Sequence, residues 1–188
     1  MTATRRPFII AFALFAAAAI ILYAMGRNPF CTCGRVDLWG AAGPEQSQML
    51  LDWYSLSHLV HGFLFYALLA WIAPRLDVHS RFAVALAIEA GWEIVENTAM
   101  VIDRYREATA ALGYEGDSIL NSLSDIAMMA LGFLLARKMP VWASVAVVLV
   151  AELIPLLIIR DNLTLNVWML LWPTDWLRDW QTGASSIS

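Results

Sequence analysis

Charge is scarce in this sequence. Asp, Glu, Lys and Arg supply 15% of its 188 residues against 60% for hydrophobic ones. The mean hydropathy of +0.63 exceeds what a soluble domain of this size carries. Absences narrow the reading further. No basic stripe marks a nucleic-acid partner, and the net charge of -4 comes from scattered acids rather than one acidic face. No H-E-x-x-H or comparably specific metal spacing is present. No repeat, low-complexity tract or linker divides the chain, so residues 1–188 read as a single membrane domain. Cysteine is confined to Cys31 and Cys33, too few for a four-ligand zinc site.

What is present is a series of long apolar runs, at about residues 8–25, 55–73, 81–103, 118–136 and 141–159. Each approaches the roughly 20 residues that cross a ~30 Å hydrocarbon core. The fold class expected is all-α, a polytopic membrane bundle of about five transmembrane helices. The first run follows Arg5 and Arg6 but is longer than a signal-peptide core and lacks an A-x-A site, so an uncleaved anchor is expected. "LTLNVWMLLW" is too short to cross, and the "WPTDWLRDWQ" that overlaps its end alternates tryptophan with charge, which suits an interfacial tail.

Arg5, Arg6, Arg75, Arg81, Arg137 and Lys138 fall in short segments on one side, opposed only by Asp77. The other side holds as many basic residues spread over longer loops, so the expected topology is N-terminus in the cytoplasm, in a bacterial inner membrane. The outer loop, residues 26–54, is too small to fold alone and must lie on the bundle or the bilayer. Its C-x-C pair could close a disulfide, bridge to another chain, supply two thiolates, or simply sit in a turn.

The apolar runs are not uniformly apolar. "ALAIEAGWEIVENTAMVID" places Glu89, Glu93 and Glu96 at i, i+4 and i+7, within about 60° on a helix. Three acids at helix centres cost roughly 8–10 kcal/mol in lipid, more than the neighbouring aliphatic residues return. That face must meet protein, water or an ion. His58 and His61 lie early in the second run, Asn121 and Asp125 early in the fourth, and Glu96 and Glu152 late in the third and fifth. Because alternate helices run in opposite directions, all approach the same membrane surface, where Arg104, Arg106 and Asp117 also fall. On this reading Glu96 is level with His61 and Asp125, and Glu89 sits nearly two turns deeper. Tyr105, Tyr114 and Trp92 read as core or interface residues, His79 as solvated, and Asp161 and Asn162 as caps for the tail.

The runs "CTCGRVDLW", "DWYSLSHLVHGFLFY", "EAGWEIVENTAMVIDRYREAT", "GYEGDSILNSLSDIAMMALGF" and "IRDNLTLNVWMLLWP" resemble a family of small bacterial inner-membrane proteins, UPF family three-one-four. That resemblance implies a multi-pass membrane protein and no known activity. The order of histidine, glutamate, loop arginine, then aspartate and asparagine ahead of a glycine is more distantly similar to VanZ-like membrane proteins. It would align His61, Glu96, Arg104, Asp117 and Asn121, with Asp125 and Gly132 beyond, and implies envelope work without a settled chemistry.

Two classes of function follow. One is an enzyme acting on a lipid or lipid-linked substrate, with Glu96, Asp125, His61 and Glu93 as acid–base groups and Arg104, Arg106, Asp117 and Asn121 binding substrate. In that case His58, His61, Glu96 and Asp125 are candidate ligands of a divalent metal. The other is a non-enzymatic protein, structural or proton-linked, whose polar residues are interhelical packing.

Overall fold

Short polar signals decide where each apolar run becomes a helix. Asp77 accepts from the amides of His79 and Ser80, Ser118 from that of Asn121, and Asn162 from that of Leu165, each satisfying an amide that a helix start leaves unpaired. The computed structural model describes residues 6–43, 45–109 and 113–183. Arg5 and the side chain of Arg6, counted above among the inside charges, lie outside what is described.

Eight helices form among the described residues: α1 (Arg6–Ala24), α2 (Ser55–Ile72), α3 (Val78–Glu96), α4 (Ala99–Ala108), α5 (Ile119–Lys138), α6 (Val141–Ile159), α7 (Leu163–Leu171) and α8 (Asp175–Thr182). Three of them, α2, α5 and α6, are long and apolar enough to cross a membrane, and α1 adds the apolar stretch Phe8–Ala24. Helix α3 has 19 residues, about 28 Å, but carries Arg81, Glu89, Glu93 and Glu96. The expected span 81–103 is therefore not one helix. It stops at Glu96, and α4 begins afresh after Thr98, whose extended backbone (φ -76°, ψ 151°) turns the chain.

Helix α2 packs most extensively on α5, α1 packs on α3, and α6 lies against α2. Ala18, Leu69, Ala85, Leu86, Ala90, Ile126, Met129 and Phe133 form the apolar core, and the Phe133 ring meets those of Tyr66 and Phe82, each 5.2 Å between centroids. Leu69, Ala85, Leu86, Met129 and Phe133 place most of this core toward the end of the bundle away from residues 26–54. Helix α6 turns Trp142, Val145, Leu149, Leu153 and Leu157 outward, as a helix does when its neighbour is lipid.

The outer loop lies on the bundle, as its length requires. Cys31 and Cys33 form a disulfide with Cα atoms 5.2 Å apart. The loop also finishes α5. The amides of Ser118, Ile119 and Leu120 donate to the carbonyls of Ser47, Asn28 and Pro29 at 2.9, 2.8 and 3.1 Å. The Asn121 side chain donates to the Met49 carbonyl at 3.0 Å. Those amides would otherwise be orphans at the helix start.

Candidate functional site

The break after Glu96 sets the depth of every polar residue. Glu89 is seven residues from the outer end of α3, and His61 and Asp125 are each six residues into α2 and α5. All three thus sit about 9–10 Å below the same end of the bundle. This corrects the expectation that Glu89 lies two turns deeper than His61. Assuming a helix to residue 103 pushed Glu89 too far in by about 10 Å.

Glu89, fully buried, is the acceptor at the centre. Its Oε1 lies 2.6 Å from Nδ1 of His58, and its two oxygens each lie 3.1 Å from Nδ1 of His61. The i, i+3 spacing on α2 brings both rings to one face, where they meet edge to face at 5.2 Å, and His61 stacks on Phe65 at 5.7 Å. A carboxylate on each Nδ1 selects the Nδ1–H tautomer and turns each Nε2 away from Glu89. The Nε2 of His58 comes within 3.8 Å of Asp125 Oδ2.

Asp125 is held by Ser55, whose hydroxyl donates to Oδ1 at 2.8 Å. Ser55 is tied to Asp52, a buried carboxylate that also accepts the amides of Ser47 and Tyr54, both at 2.7 Å. On the other flank, Asn97 spans two elements. Its Nδ2 donates to Asp117 Oδ2 and its Oδ1 accepts from the Asp117 amide, both at 2.8 Å. Tyr114 donates to the second Asp117 oxygen at 3.0 Å. Burial nevertheless pushes the Asp117 carboxyl up to about 6, against the pull of those two donors.

Glu93 differs from its neighbours. It is fully buried, and among the described residues no group shares a hydrogen bond with either of its carboxylate oxygens. His58 Nδ1 stands 3.4 Å from one of them but is already engaged by Glu89. Buried polar atoms are nearly always paired, so this pair of oxygens asks for a partner.

A cavity of about 260 Å³ opens among these groups. His58, His61, Glu89, Glu96, Asp117 and Asp125 give it a polar wall, while Phe65, Ile88, Trp92, Leu163, Val167 and Leu170 give it an apolar one. A wider cavity of about 1000 Å³ beneath the outer loop shares Ser47, Tyr54, Tyr114 and Asp117 with it.

Of the residues singled out from sequence, the structure brings His58, His61, Glu96, Asp117 and Asp125 to this cavity, with Glu93 behind them. It separates the proposed metal set: His58, His61 and Glu89 form one group of donor atoms within 4.8 Å, His58, Glu93 and Asp125 a second, and Glu93, Glu96 and Asp117 a third. Among the described residues, Glu96 therefore groups with other acids and not with the histidines. Arg104 and Arg106 do not line the cavity. Arg104 donates to the Leu170 carbonyl at 3.0 Å and Arg106 to that of Tyr114 at 2.6 Å, fastening parts of the wall. Asn121 serves the outer loop, and Glu152 caps α7 through the amides of Leu163 and Thr164, both at 3.1 Å.

Tyr54, Ser57, Trp92, Tyr105, Tyr114 and Asn166 line the cavity as well. Tyr54 and Ser57 were findable, since 54, 57, 58 and 61 recur at helical spacing. Tyr114 and Asn166 reach the site through loops and a tail helix, which no local pattern reveals.

Fold and site together define a polytopic helical membrane protein with a buried cluster of histidine, glutamate and aspartate. The chain belongs to the family described as Protein of unknown function (DUF2585), which matches residues 22–183. It is 50% identical to a UPF0314 protein of Paracoccus denitrificans over 96% of this chain and 95% of that one. It is 51% identical to a UPF0314 protein of Agrobacterium fabrum over 95% and 91%, and 48% identical to one of Sphingopyxis alaskensis over 96% and 97%. No solved structure matches.

Proposed function

We propose that this protein is a bacterial inner-membrane enzyme that hydrolyses or transfers a group on a lipid or lipid-linked envelope substrate. The observation that carries this reading is the two-sided cavity: His61, fixed by Glu89, faces the same space as an apolar wall supplied by α7 and by Phe65, Ile88 and Trp92. An amphiphile needs both walls. His61 can accept a proton from water at Nε2 while Glu89 stabilises the imidazolium that forms, the division of labour of a base and its orienting carboxylate. The water oxygen bonds to the substrate's electrophilic atom, the bond to the leaving oxygen breaks, and that oxygen takes the proton back from His61.

The disulfide in the loop above the cavity supports an outward-facing site with the N-terminus in the cytoplasm, because disulfides persist on the oxidising side of a bacterial membrane. Asn97 and Ser122 are read as interhelical packing, not as reacting groups.

The test is turnover by full-length protein in nanodiscs containing phosphatidylglycerol, phosphatidylethanolamine and a polyprenyl diphosphate, with products read by mass spectrometry. Cleavage or transfer on one lipid class, reduced at least ~100-fold by His61→Ala, is expected. No product from any lipid class, with wild type folded, counts against the reading.

A further inference from the structure

The cavity has a problem of sign. Glu89, Glu96, Asp117 and Asp125 crowd its polar wall, with Glu93 and Asp52 behind them. Among the described residues, the basic side chains lining it are His58 and His61, since Arg104 and Arg106 lie off the cavity and turn their Nε donors to backbone carbonyls. Uncompensated carboxylates are costly in a low-dielectric bundle, and an anionic substrate would be repelled by them.

Glu93 makes the problem specific. As a carboxylate it lacks a donor on either oxygen, and as a neutral acid it would lack an acceptor for its proton, because among the described residues no group lies in hydrogen-bonding geometry with it. Neither form is satisfied by protein alone. Yet Glu93 is the residue common to two of the three donor groups, His58, Glu93, Asp125 and Glu93, Glu96, Asp117. A single side chain with two free oxygens stands between two sets of ligands.

We propose that these residues bind a pair of divalent first-row transition-metal ions bridged by the carboxylate of Glu93. One ion takes Nε2 of His58, one oxygen of Glu93 and Asp125. The other takes the second oxygen of Glu93, Glu96 and Asp117. The 3.8 Å between His58 Nε2 and Asp125 Oδ2 is too long for a hydrogen bond, but two ligands of one ion at about 2.0–2.2 Å each stand about 3–4 Å apart. Glu89 then acts as the carboxylate that holds a ligating histidine by its other nitrogen, the usual support of a metal-bound imidazole. Ser55 on Asp125 and Asn97 and Tyr114 on Asp117 hold the other ligands in the same way.

Mixed imidazole and carboxylate ligation suits Zn²⁺ or Mn²⁺. Two such ions offset most of the negative charge of the surrounding carboxylates and offer direct bonds to phosphate oxygens, so the substrate they admit is a phosphate ester or diphosphate carried on a lipid. The role of the pair in chemistry rests on the hydrolytic reading of this cavity, whereas its existence is a matter of binding alone.

Full-length protein in detergent, stripped with chelator and reloaded with Zn²⁺ or Mn²⁺, decides the matter. Two equivalents per chain are expected by mass spectrometry of metals, with an exchange-coupled Mn²⁺ resonance spectrum from ions a few ångströms apart. Glu93→Gln, nearly isosteric, should lose both ions or keep one uncoupled ion, while His79→Ala at the opposite end of α3 keeps two. Fewer than two equivalents in wild type, an uncoupled spectrum from wild type, or two coupled ions in Glu93→Gln overturns the proposal, and the wild-type spectrum decides even if that variant fails to fold. Lipid turnover that survives metal removal would overturn the pair's role in the chemistry and leave the enzymatic reading intact. Two bound ions without turnover on any lipid would overturn the enzymatic reading and leave the metal pair intact.

Discussion

Gly62 on α2 and Gly132 on α5 lie backbone against backbone. A Cβ on Gly132 would stand 3.2 Å from the Cα of Gly62 and overlap the Leu59 carbonyl oxygen, and one on Gly62 would overlap the Met129 carbonyl oxygen and the Phe133 nitrogen. Small residues permit such approach between helices in lipid, where no water-driven force pulls them together. The contact sets the distance between the two helices that carry His58 and Asp125, so it fixes site geometry from one to two turns below.

Gly132→Val should therefore destabilise the protein by about 1–3 kcal/mol through overpacking, and pull α2 from α5. Gly91→Ala is the contrast, since a Cβ there meets nothing within 4 Å and should be neutral or stabilising by up to ~1 kcal/mol. Thermal unfolding of both in one detergent checks the pair, and equal effects would contradict the close approach.

Glu89→Ala strips the acceptor from both histidine Nδ1 atoms inside the bundle. Removing one member of a buried charged network costs about 3–5 kcal/mol. Glu89→Gln keeps one acceptor oxygen and should lose roughly 1–3 kcal/mol. The ordering of the two unfolding temperatures is the measurement.

Asn97→Ala should cost about 1–3 kcal/mol by leaving Asp117 short of a donor in a buried position. Asn97→Asp should be worse, because it sets a second carboxylate 2.8 Å from the first. Lowering the pH should rescue Asn97→Asp, which relieves two facing carboxylates, more than Asn97→Ala, which relieves Asp117 alone.

Glu152→Ala should act locally. It frees the amides of Leu163 and Thr164 and the Thr164 hydroxyl, a loss of about 1–2 kcal/mol at the α7 start. Hydrogen exchange should quicken at residues 163–165 while α2 and α5 stay protected.

Asp161 supplies a pH dependence. Burial raises its carboxyl from 3.8 to about 6, against the donor Tyr54 2.7 Å away. Between those values the native state holds a proton that the unfolded state releases. Stability should therefore rise as pH falls from 7 through 6, by on the order of 2–3 kcal/mol, and be fully gained below about 4. Asp161→Asn should make the profile shallower but not flat, because Asp117 is raised in the same direction.

The bundle was legible in the sequence because apolar length is a direct demand of the bilayer. The polar face of α3 was legible too, because Glu89, Glu93 and Glu96 announce it by cost alone. The depth of that face was not. It depended on where α3 ends, and the signal was the pair Asn97 and Thr98, whose side chains serve Asp117 and the Val95 carbonyl instead of continuing the helix. Arg104 and Arg106 misled for a related reason: a loop arginine beside acids suggests an anion site, but only tertiary structure reveals that Leu170 and Tyr114 carbonyls take them. Tail residues such as Leu163, Val167 and Leu170 entered the cavity wall through a fold-back that local pattern does not encode.

The carbonyls of Asn28, Pro29 and Ser47 that complete the first turn of α5 precede it by some seventy to ninety residues in the chain. A nascent α5 thus meets the hydrocarbon with a frayed start unless those carbonyls already wait at the membrane face, and each amide left bare there costs several kcal/mol. Biogenesis acquires an order from this. The segment after α1 must reach that membrane face and fold back before α5 can settle, so delayed placement of that loop would stall insertion of a helix synthesised much later.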